Sequence, residues 1–477
     1  MLFNSWQYAV FLPVVFALYW ALPQRYRWPL LLAASYYFYM SWEAKYVVLI
    51  LFTTAVSYAA ARLIEKAGDQ RRKKLILSLS AVLCLGVLFV FKYFDFFFDS
   101  LSSAFGAFGI SLHPVILRLV LPVGISFYTF QTLGYIIDVY RGDCPAERNF
   151  GIYATFVSFF PQLVAGPIER TTNLLPQIKA EHPFDSDQAI RGAKLILWGL
   201  FKKIVVADNL AVYVDLVYDE PQRFHGFALV LAMVFFTFQI YCDFSGYSDI
   251  ACGSANLLGI ELMENFRSPY LSASVREFWS RWHISLSTWF RDYVYIPLGG
   301  NRVGRLRNYL NLMVTFLVSG LWHGANWTFV VWGGVHGLAQ VIEKALRLDK
   351  RPTGKLLLLL KTVVVFAFVN LAWVLFRAQT LPDAWYVLAH LFEGISAPFQ
   401  YIKSGFNDIG VHKGVLFVAI MFYIVPLFAH DVLALRRESG NFQVRKGVEW
   451  VGYVLLGLMI AFLSSKGVAA EFVYFQF

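Results

Sequence analysis

Long apolar segments, separated by short loops that carry most of the charges, constrain this chain more than any other feature of its sequence. A segment of about 20 apolar residues crosses the hydrocarbon core of a bilayer as an α-helix, because only internal hydrogen bonding satisfies the backbone there. Charged residues make up 15% of the chain, against about 25% in soluble domains. The sequence therefore predicts an all-α, polytopic membrane protein.

Twelve segments have the length and composition of membrane spans or parts of them. Segment 151–168 is apolar but is interrupted by Pro161, Gly166 and Pro167, which predicts a re-entrant element buried within protein. No internal repeat or low-complexity linker is present, so we expect a single membrane-embedded domain over residues 1–477. The candidate spans are 3–22, 28–40, 46–63, 75–93, 117–140, 193–214, 226–243, 310–321, 328–346, 355–376, 415–433 and 451–465.

The net charge of +10 comes from cations clustered in short loops, which is the positive-inside pattern and makes nucleic acid an improbable ligand. The basic loops 62–74, 347–355 and 436–446 are predicted to be cytoplasmic, which places both termini on the outer side. The first segment has no basic stretch before it and no small-residue cleavage site, so we expect a retained span. The four cysteines have no metal-type or paired spacing, and no metal site is predicted.

Residues 308–342 contain no formal charge, and His323 and His336 are the only groups there that titrate near neutral pH. A buried imidazole is either a hydrogen-bonded core residue or a group kept for chemistry, and the residues alone leave both open. Both flanks of this run are basic, so it should enter the membrane and return. Two arms of about 15 residues would each reach roughly 22 Å, and Gly320, Gly324 and Asn326 would allow the turn. His323 would then lie at the tip of a buried hairpin.

A second histidine, His283, lies in the stretch EFWSRWHISLSTWFRDYVYIPLGGNR, whose aromatic residues recur at helical spacing. The pattern predicts one amphipathic helix at the cytoplasmic interface. Seven arginines against two acids between positions 266 and 307 fit anchoring to anionic lipid. They also fit a binding site for a phosphate-bearing donor. The residues predicted to bind this donor are Arg276, Arg281, Arg291 and Trp282. By itself His283 fits a structural role better than a catalytic one.

Several long motifs resemble those of the membrane-bound O-acyltransferase family and occur in the family's order. The most similar branch is the bacterial one, which O-acetylates alginate, peptidoglycan and other exopolysaccharides. These motifs are densest over residues 122–337. The motifs are PVGISFYTFQTLGYIIDVYRG, FFPQLVAGPIER, YCDFSGYSD, MENFRSPY, the stretch around His283, and GLWHGANW.

The resemblance implies a fold of about 11 or more transmembrane helices, thinned at the centre, in the bacterial inner membrane. It implies that His323 and His283 match the family's two histidines, and it decides the role of His323 in favour of chemistry. Transfer of an acetyl group from a thioester to a hydroxyl needs a base, and imidazole has a suitable pKa. His323 is the predicted base, and His283 would position the donor or assist attack. The expected donor is acetyl-CoA or an acyl-carrier thioester, with no bound cofactor.

The last residues, FVYFQF, allow two interpretations. They are an aromatic anchor at the membrane interface, or Tyr474 is an acyl relay, since the pattern resembles the tail of a small peptide that works with the related teichoic-acid D-alanylation enzyme. In the second case Tyr474 would take the acetyl group near His323, and a periplasmic SGNH-type partner would move it to a glycan. The alternative from another class is a transporter or flippase of glycan or lipid, which predicts related halves with interrupted helices.

Overall fold

The computed structural model describes residues 1–112, 115–164, 166–348, 354–438, 446–464 and 472–473. Regular structure within these ranges is helical, apart from one isolated bridge between Phe266 and Trp282. By its internal contacts the chain divides into two compact units, residues 1–196 with 250–263, and residues 197–249 with 264–477. The single domain over 1–477 stays a prediction, whereas the all-α class is confirmed.

The first unit consists of helices that begin at or before residue 186, of which α10 continues into the second unit. These helices are α1 (Trp6–Ala21), α2 (Arg27–Glu43), α3 (Val47–Lys66), α4 (Gln70–Leu88), α5 (Phe94–Gly106), α6 (Ile125–Arg141), α7 (Phe150–Ser158), α8 (Phe160–Leu163), α9 (Thr171–Lys179) and α10 (Ser186–Leu200).

The second unit holds the remaining helices, of which α12 also supplies residues to the first unit. These helices are α11 (Asp208–Tyr218), α12 (Phe227–Leu257), α13 (Val275–Arg281), α14 (Ile284–Phe290), α15 (Arg305–His323), α16 (Trp327–Ala345), α17 (Lys355–Arg377), α18 (Leu381–His390), α19 (Pro398–Asp408), α20 (Lys413–Val418), α21 (Val425–Glu438) and α22 (Lys446–Leu463).

Five helical stretches among the described residues are long and apolar enough to cross a membrane, which confirms a multi-pass membrane protein. Shorter apolar helices such as α1 and α22 accompany them. Several predicted spans have other bounds: the helix within 117–140 begins only at Ile125, and the one at 226–243 extends to Leu257. The five stretches are Gln24–Lys66, Gln70–Gly106, Phe227–Leu257, Lys355–Arg377 and Gly414–Arg437.

Interrupted helices occur where the sequence predicts them and also where it does not. The apolar segment after Asn149 is broken between α7 and α8, in agreement with the predicted interruption. The continuous amphipathic helix predicted around His283 is wrong, because α13 and α14 are separate helices of 7 residues. Their aromatic side chains, including Trp279 and Trp289, are buried within the protein. The break has a local cause: His283 has a left-handed backbone, with φ 44° and ψ 55°.

The predicted hairpin is present, with α15 and α16 as its arms and residues 324–326 as its turn. Each arm has 19 residues and a rise of roughly 28 Å. The arms are longer than the predicted 15 residues, because their outer turns include charged residues such as Arg305 and Lys344. The predicted shortness of the arms is therefore wrong, although the position of the turn is confirmed.

Glycines allow the two arms to touch backbone to backbone. A Cβ atom on Gly320 would lie 2.3 Å from the Phe329 carbonyl oxygen, and one on Gly333 would lie 2.3 Å from the Phe316 carbonyl oxygen. Close approach through small residues is the usual way in which helices associate in membranes. This contact holds the end of α15, and thus His323, against α16.

Replacement of Gly333 by alanine should therefore destabilise the hairpin, by about 1–3 kcal/mol, because the backbones must separate. Gly334 is a matched control, since its Cβ would meet only a Leu317 methyl group at 3.5 Å. We expect Gly333→Ala to lower the thermal unfolding midpoint of the purified protein in detergent and Gly334→Ala to leave it unchanged or raised. Equal midpoints for the two variants would contradict this account of the hairpin.

Candidate functional site

His323 is buried at the turn of the hairpin, with 3% of its surface exposed. Its ring lies edge to face with three aromatic rings: those of Trp322 at 5.0 Å, Trp332 at 5.0 Å and Phe376 at 5.4 Å between centroids. These neighbours come from both arms of the hairpin and from α17. These three side chains exclude water from the imidazole, and none of them carries a charge.

The local sequence explains why the helix ends at this histidine. Gly324 adopts an extended conformation, and Asn326 caps the next helix by accepting a hydrogen bond from the Thr328 N–H at 3.0 Å. The Asn326 amide also donates to the Gln379 carbonyl oxygen at 2.8 Å, which ties the turn to the end of α17. As the last residue of α15, His323 lies where the helix carbonyls carry partial negative charge, which stabilises an imidazolium.

His283 is fully buried at the start of α14 and is held by a neighbouring amide. Its Nδ1 lies 3.3 Å from the Asn265 Oδ1. That oxygen also accepts hydrogen bonds from the Ser285 hydroxyl at 2.6 Å and the Ser285 N–H at 3.3 Å, while the Asn265 amide nitrogen donates to Ser248. Because Oδ1 is an acceptor, the hydrogen of the neutral His283 ring is assigned to Nδ1, which leaves the lone pair on Nε2.

The environment of His283 disfavours its charged form. Burial lowers the pKa of His283 to about 3, so the ring is neutral at physiological pH. Its position at the positive end of α14 acts in the same direction. The two predicted histidines therefore have opposite electrostatic settings, one at a helix C-terminus and the other at a helix N-terminus.

One tryptophan links the two histidines. The Trp322 ring lies 6.1 Å from the His283 ring and 5.0 Å from the His323 ring, so both belong to one aromatic cluster. The structure thus brings together the two histidines that the sequence singled out.

His336 is a third histidine of this cluster, and the sequence analysis assigned it no role. It is fully buried in α16, and its Nδ1 accepts a hydrogen bond from the Trp279 indole N–H at 3.2 Å. Its ring is 5.0 Å from that of Trp332, which also contacts His323. The sequence feature that could have identified His336 is its position as the second titratable group in the uncharged run 308–342. Asn265 was missed likewise, although it lies within the motif MENFRSPY.

The four predicted donor-binding residues do not form one surface. Arg281 pairs with Glu277 at 2.8 Å and Arg291 with Asp292 at 2.7 Å, while Arg276 is exposed at the start of α13. Trp282 is completely buried, 5.0 Å from the Trp373 ring. Trp282 belongs to the aromatic cluster, whereas all three arginines have an acidic neighbour: the backbone N–H of Arg276 donates to the Glu343 carboxylate at 3.1 Å. Donor binding by these residues stays a prediction.

Two lysines of the π-helical segment Phe201–Ala207, which the sequence analysis did not single out, form ion pairs with α11 and α12. Lys203 Nζ lies 2.6 Å from Asp243 Oδ1 and 2.9 Å from Asp208 Oδ1, and all three side chains are at most 4% exposed. Lys202 pairs with Asp249 at 2.7 Å. The two aspartates of the motif YCDFSGYSD thus both neutralise a lysine.

Tyr474 lies outside the described residues, but the two residues before it are described. Phe472 and Val473 are buried. The Phe472 ring stacks on that of Tyr247 at 4.6 Å, and the Val473 N–H donates to Asp243 Oδ2 at 2.7 Å. For these two residues the contacts are with protein side chains of α12, which an anchor at the lipid interface does not require.

A cavity of about 490 Å³ opens beside the turn of the hairpin. Phe329 lines this cavity, and its ring contacts that of Phe376 at 4.9 Å, which in turn contacts His323. Contacts through two aromatic rings thus connect the wall of the cavity to the imidazole. Polar groups make up most of its other walls, namely those of Asp215, Asp219, Asn326, Arg377 and Gln379.

Comparison with known proteins identifies the family to which the chain is similar. The model of the membrane-bound O-acyltransferase family matches residues 148–354, which include all three histidines of the cluster. The chain is 44% identical over 384 residues to a probable alginate O-acetylase of Azotobacter vinelandii, with 80% of this chain and 76% of that protein covered. For a probable alginate O-acetylase of Pseudomonas aeruginosa the identity is 43% over 423 residues, covering 88% and 79%.

A third relative is similar along the whole chain. The peptidoglycan O-acetyltransferase of Helicobacter pylori is 33% identical over 523 aligned residues, which cover 100% of this chain and 98% of that protein. With apolar helices that cross a membrane and relatives of this identity and coverage, the chain belongs to the membrane-bound O-acyltransferase family and is a multi-pass, membrane-bound O-acetyltransferase.

Proposed function

We propose that this protein takes an acetyl group from a cytoplasmic thioester and delivers it across the bacterial inner membrane for O-acetylation of a periplasmic glycan. Alginate and peptidoglycan are the glycans named in its relatives. The observation that carries the proposal is the pair of buried histidines, His283 and His323, in one aromatic cluster within the family-matching region. Both termini are expected on the periplasmic side, since the basic loops suit the cytoplasm.

His323 is the proposed general base. A base in acyl transfer must be neutral at rest and must stabilise the proton it takes in the transition state. The aromatic rings around His323 keep water away from the thioester and so limit its hydrolysis. The carbonyls at the end of α15 favour the imidazolium that forms when the attacking hydroxyl loses its proton.

His283 is proposed to act without charge. With the Nδ1 hydrogen directed to Asn265, its Nε2 lone pair can accept a hydrogen bond from the donor or from the attacking hydroxyl. Such a group orients a reactant, which lowers the entropic part of the barrier. Its buried, left-handed position between α13 and α14 makes this orientation rigid.

The proposed donor is acetyl-CoA, or an acyl-carrier protein with the same phosphopantetheine arm. The arginines around α13 and α14, among them Arg276 and Arg291, would attract the phosphates at the cytoplasmic face. Arg281 pairs with Glu277, and Arg291 pairs with Asp292. While these pairs are closed, the two arginines contribute to donor binding only by long-range attraction of the phosphates. The thioester would then reach the histidines through the protein interior.

Tyr474 is the proposed acyl relay. Its phenol oxygen attacks the thioester carbonyl carbon while His323 takes the phenol proton. The carbon–sulfur bond breaks, and the imidazolium returns the proton to the leaving thiolate, so that free thiol and an aryl ester are formed. The serine of an SGNH-type periplasmic partner then attacks the ester, and the tyrosine regains its proton. Burial of Phe472 and Val473 in the second unit supports a tail that enters the protein.

Replacement of His323 tests the proposed general base. We expect His323→Ala to lower acetyl transfer from acetyl-CoA by about 100- to 10,000-fold, the usual contribution of a general base. The protein should still insert and unfold at a similar temperature, because the change leaves the hairpin glycines in place. Acetyl content of the exported glycan and thiol release by the purified protein are the measurements.

A transporter would behave differently in the same experiment. Glycan movement into vesicles without thiol release, or normal acetylation in the His323→Ala strain, would contradict acyl-transfer chemistry at this site.

The second prediction concerns pH. Because burial lowers the pKa of His283 to about 3, this ring does not titrate between pH 5 and 9. His283→Gln should therefore lower the plateau of kcat/KM, by about 10- to 100-fold, and leave the apparent pKa of the acid limb unchanged. Loss of the acid limb in this variant would mean that His283 is the titrating base.

The third prediction concerns the relay. Tyr474→Phe keeps the ring and removes only the oxygen, so a relay predicts loss of glycan acetylation at normal expression. Phe475→Leu, which changes the neighbouring ring and leaves the hydroxyl, is the control. Acetylation by Tyr474→Phe at the parental rate would leave only an anchoring role for this residue.

A further inference from the structure

Asp243 is an unusual residue for the middle of a long apolar helix. Its side chain is 1% exposed, and a buried carboxylate is costly unless it is paired and hydrogen-bonded. Both of its oxygens have a partner: Oδ1 lies 2.6 Å from Lys203 Nζ, and Oδ2 accepts the Val473 N–H at 2.7 Å. One carboxylate thus joins a buried cation to the backbone of the C-terminal tail.

The same face of α12 also receives the tail side chain. The Phe472 ring stacks on Tyr247 at 4.6 Å and lies 5.8 Å from the Phe244 ring. Because Asp243, Phe244 and Tyr247 occur within five residues of one helix, they present adjacent sites for the tail. Phe244 in turn lies edge to face with His283 at 4.6 Å. The docked tail and the catalytic cluster therefore share a side chain.

The tail is held at its other end by the same region. The Asn209 amide donates to the carbonyl oxygen of Leu463, the last residue of α22, at 2.9 Å. Asn209 directly follows Asp208, whose carboxylate lies 2.9 Å from Lys203 Nζ. Leu463 is thus bound by the residue next to one carboxylate partner of Lys203, and Val473 is bound by the other carboxylate partner.

We propose that the Lys203–Asp243 pair anchors the C-terminal tail, with Asp243 as a positioning residue for the acyl-transfer reaction. Lys203 pairs with one oxygen of the Asp243 carboxylate, and the other oxygen accepts the Val473 N–H. A hydrogen bond to a charged acceptor is stronger than one between neutral groups. The anchor fixes the backbone one residue before Tyr474, and its catalytic consequence rests on the relay proposed above. The anchor itself does not depend on that relay.

Hydrogen–deuterium exchange of the purified protein, read by mass spectrometry on the C-terminal peptide, tests the anchor directly. We expect Asp243→Ala to speed exchange of the tail amides by about 10-fold or more, because the tail loses a charged acceptor. Asp249→Ala is the matched control, since it removes the neighbouring lysine–aspartate pair on the same helix and leaves the hydrogen bond between Asp243 and Val473 in place. Equal exchange in these two variants would overturn the proposal.

A second pair of variants leaves the ion pairs intact. Val473→Pro removes the N–H that Asp243 binds, whereas Val473→Ala keeps it and shortens the side chain. We expect faster tail exchange in Val473→Pro only. If Val473→Pro exchanges like Val473→Ala, the hydrogen bond does not anchor the tail and the proposal fails.

The catalytic consequence has its own readout. If the anchor acts through Tyr474, Val473→Pro should lower acetylation in the parent and cause no further loss in a Tyr474→Phe background. A further loss there would mean that the tail segment acts otherwise, and would overturn the positioning role. Full activity of Tyr474→Phe alone, with fast exchange in Asp243→Ala, would remove the relay and leave the anchor standing.

Discussion

The hairpin of α15 and α16 fixes His323, and the proposed chemistry depends on that position. Because glycines let the two helices touch through their backbones at Gly320 and Gly333, the end of α15 has little freedom to move. A histidine there is far from solvent and at the negative end of a helix of 19 residues. The same contact brings Trp332 of α16 against the imidazole. The hairpin of α15 and α16 thus determines both the packing around His323 and the helix-end charge beside its ring.

The environment also explains why two buried histidines can have different tasks. His323 lies at a helix C-terminus, where a positive charge is stabilised. His283 lies at a helix N-terminus, donates to an amide oxygen and stays neutral because burial lowers its pKa. An enzyme that takes a proton at one imidazole and orients a reactant with another needs this difference. The aromatic cluster that joins them buries both rings, and in the proposed reaction it would limit hydrolysis of the thioester.

Part of this arrangement could be predicted from the sequence. The uncharged run with Gly320, Gly324 and Asn326 indicated a hairpin with His323 at its turn, because periodicity and turn residues are local properties. The interruption just before Pro161, between α7 and α8, was predictable for the same reason. The break at His283 was not, since the apolar spacing continues through it and only a left-handed backbone ends the helix. Nor were the partners of Asp243, because they depend on contacts between residues 40 and 230 positions apart in the chain.

The central claim, that an acyl group passes through this site to the tail, can be measured on the intact protein. Purified protein would be exposed briefly to acetyl-CoA, quenched in acid and digested, and its peptides would be analysed by mass spectrometry. We expect one acetyl group on Tyr474 in the parent protein and none after replacement of His323 by alanine. An unmodified C-terminal peptide in parent protein that releases thiol at its normal rate would contradict it.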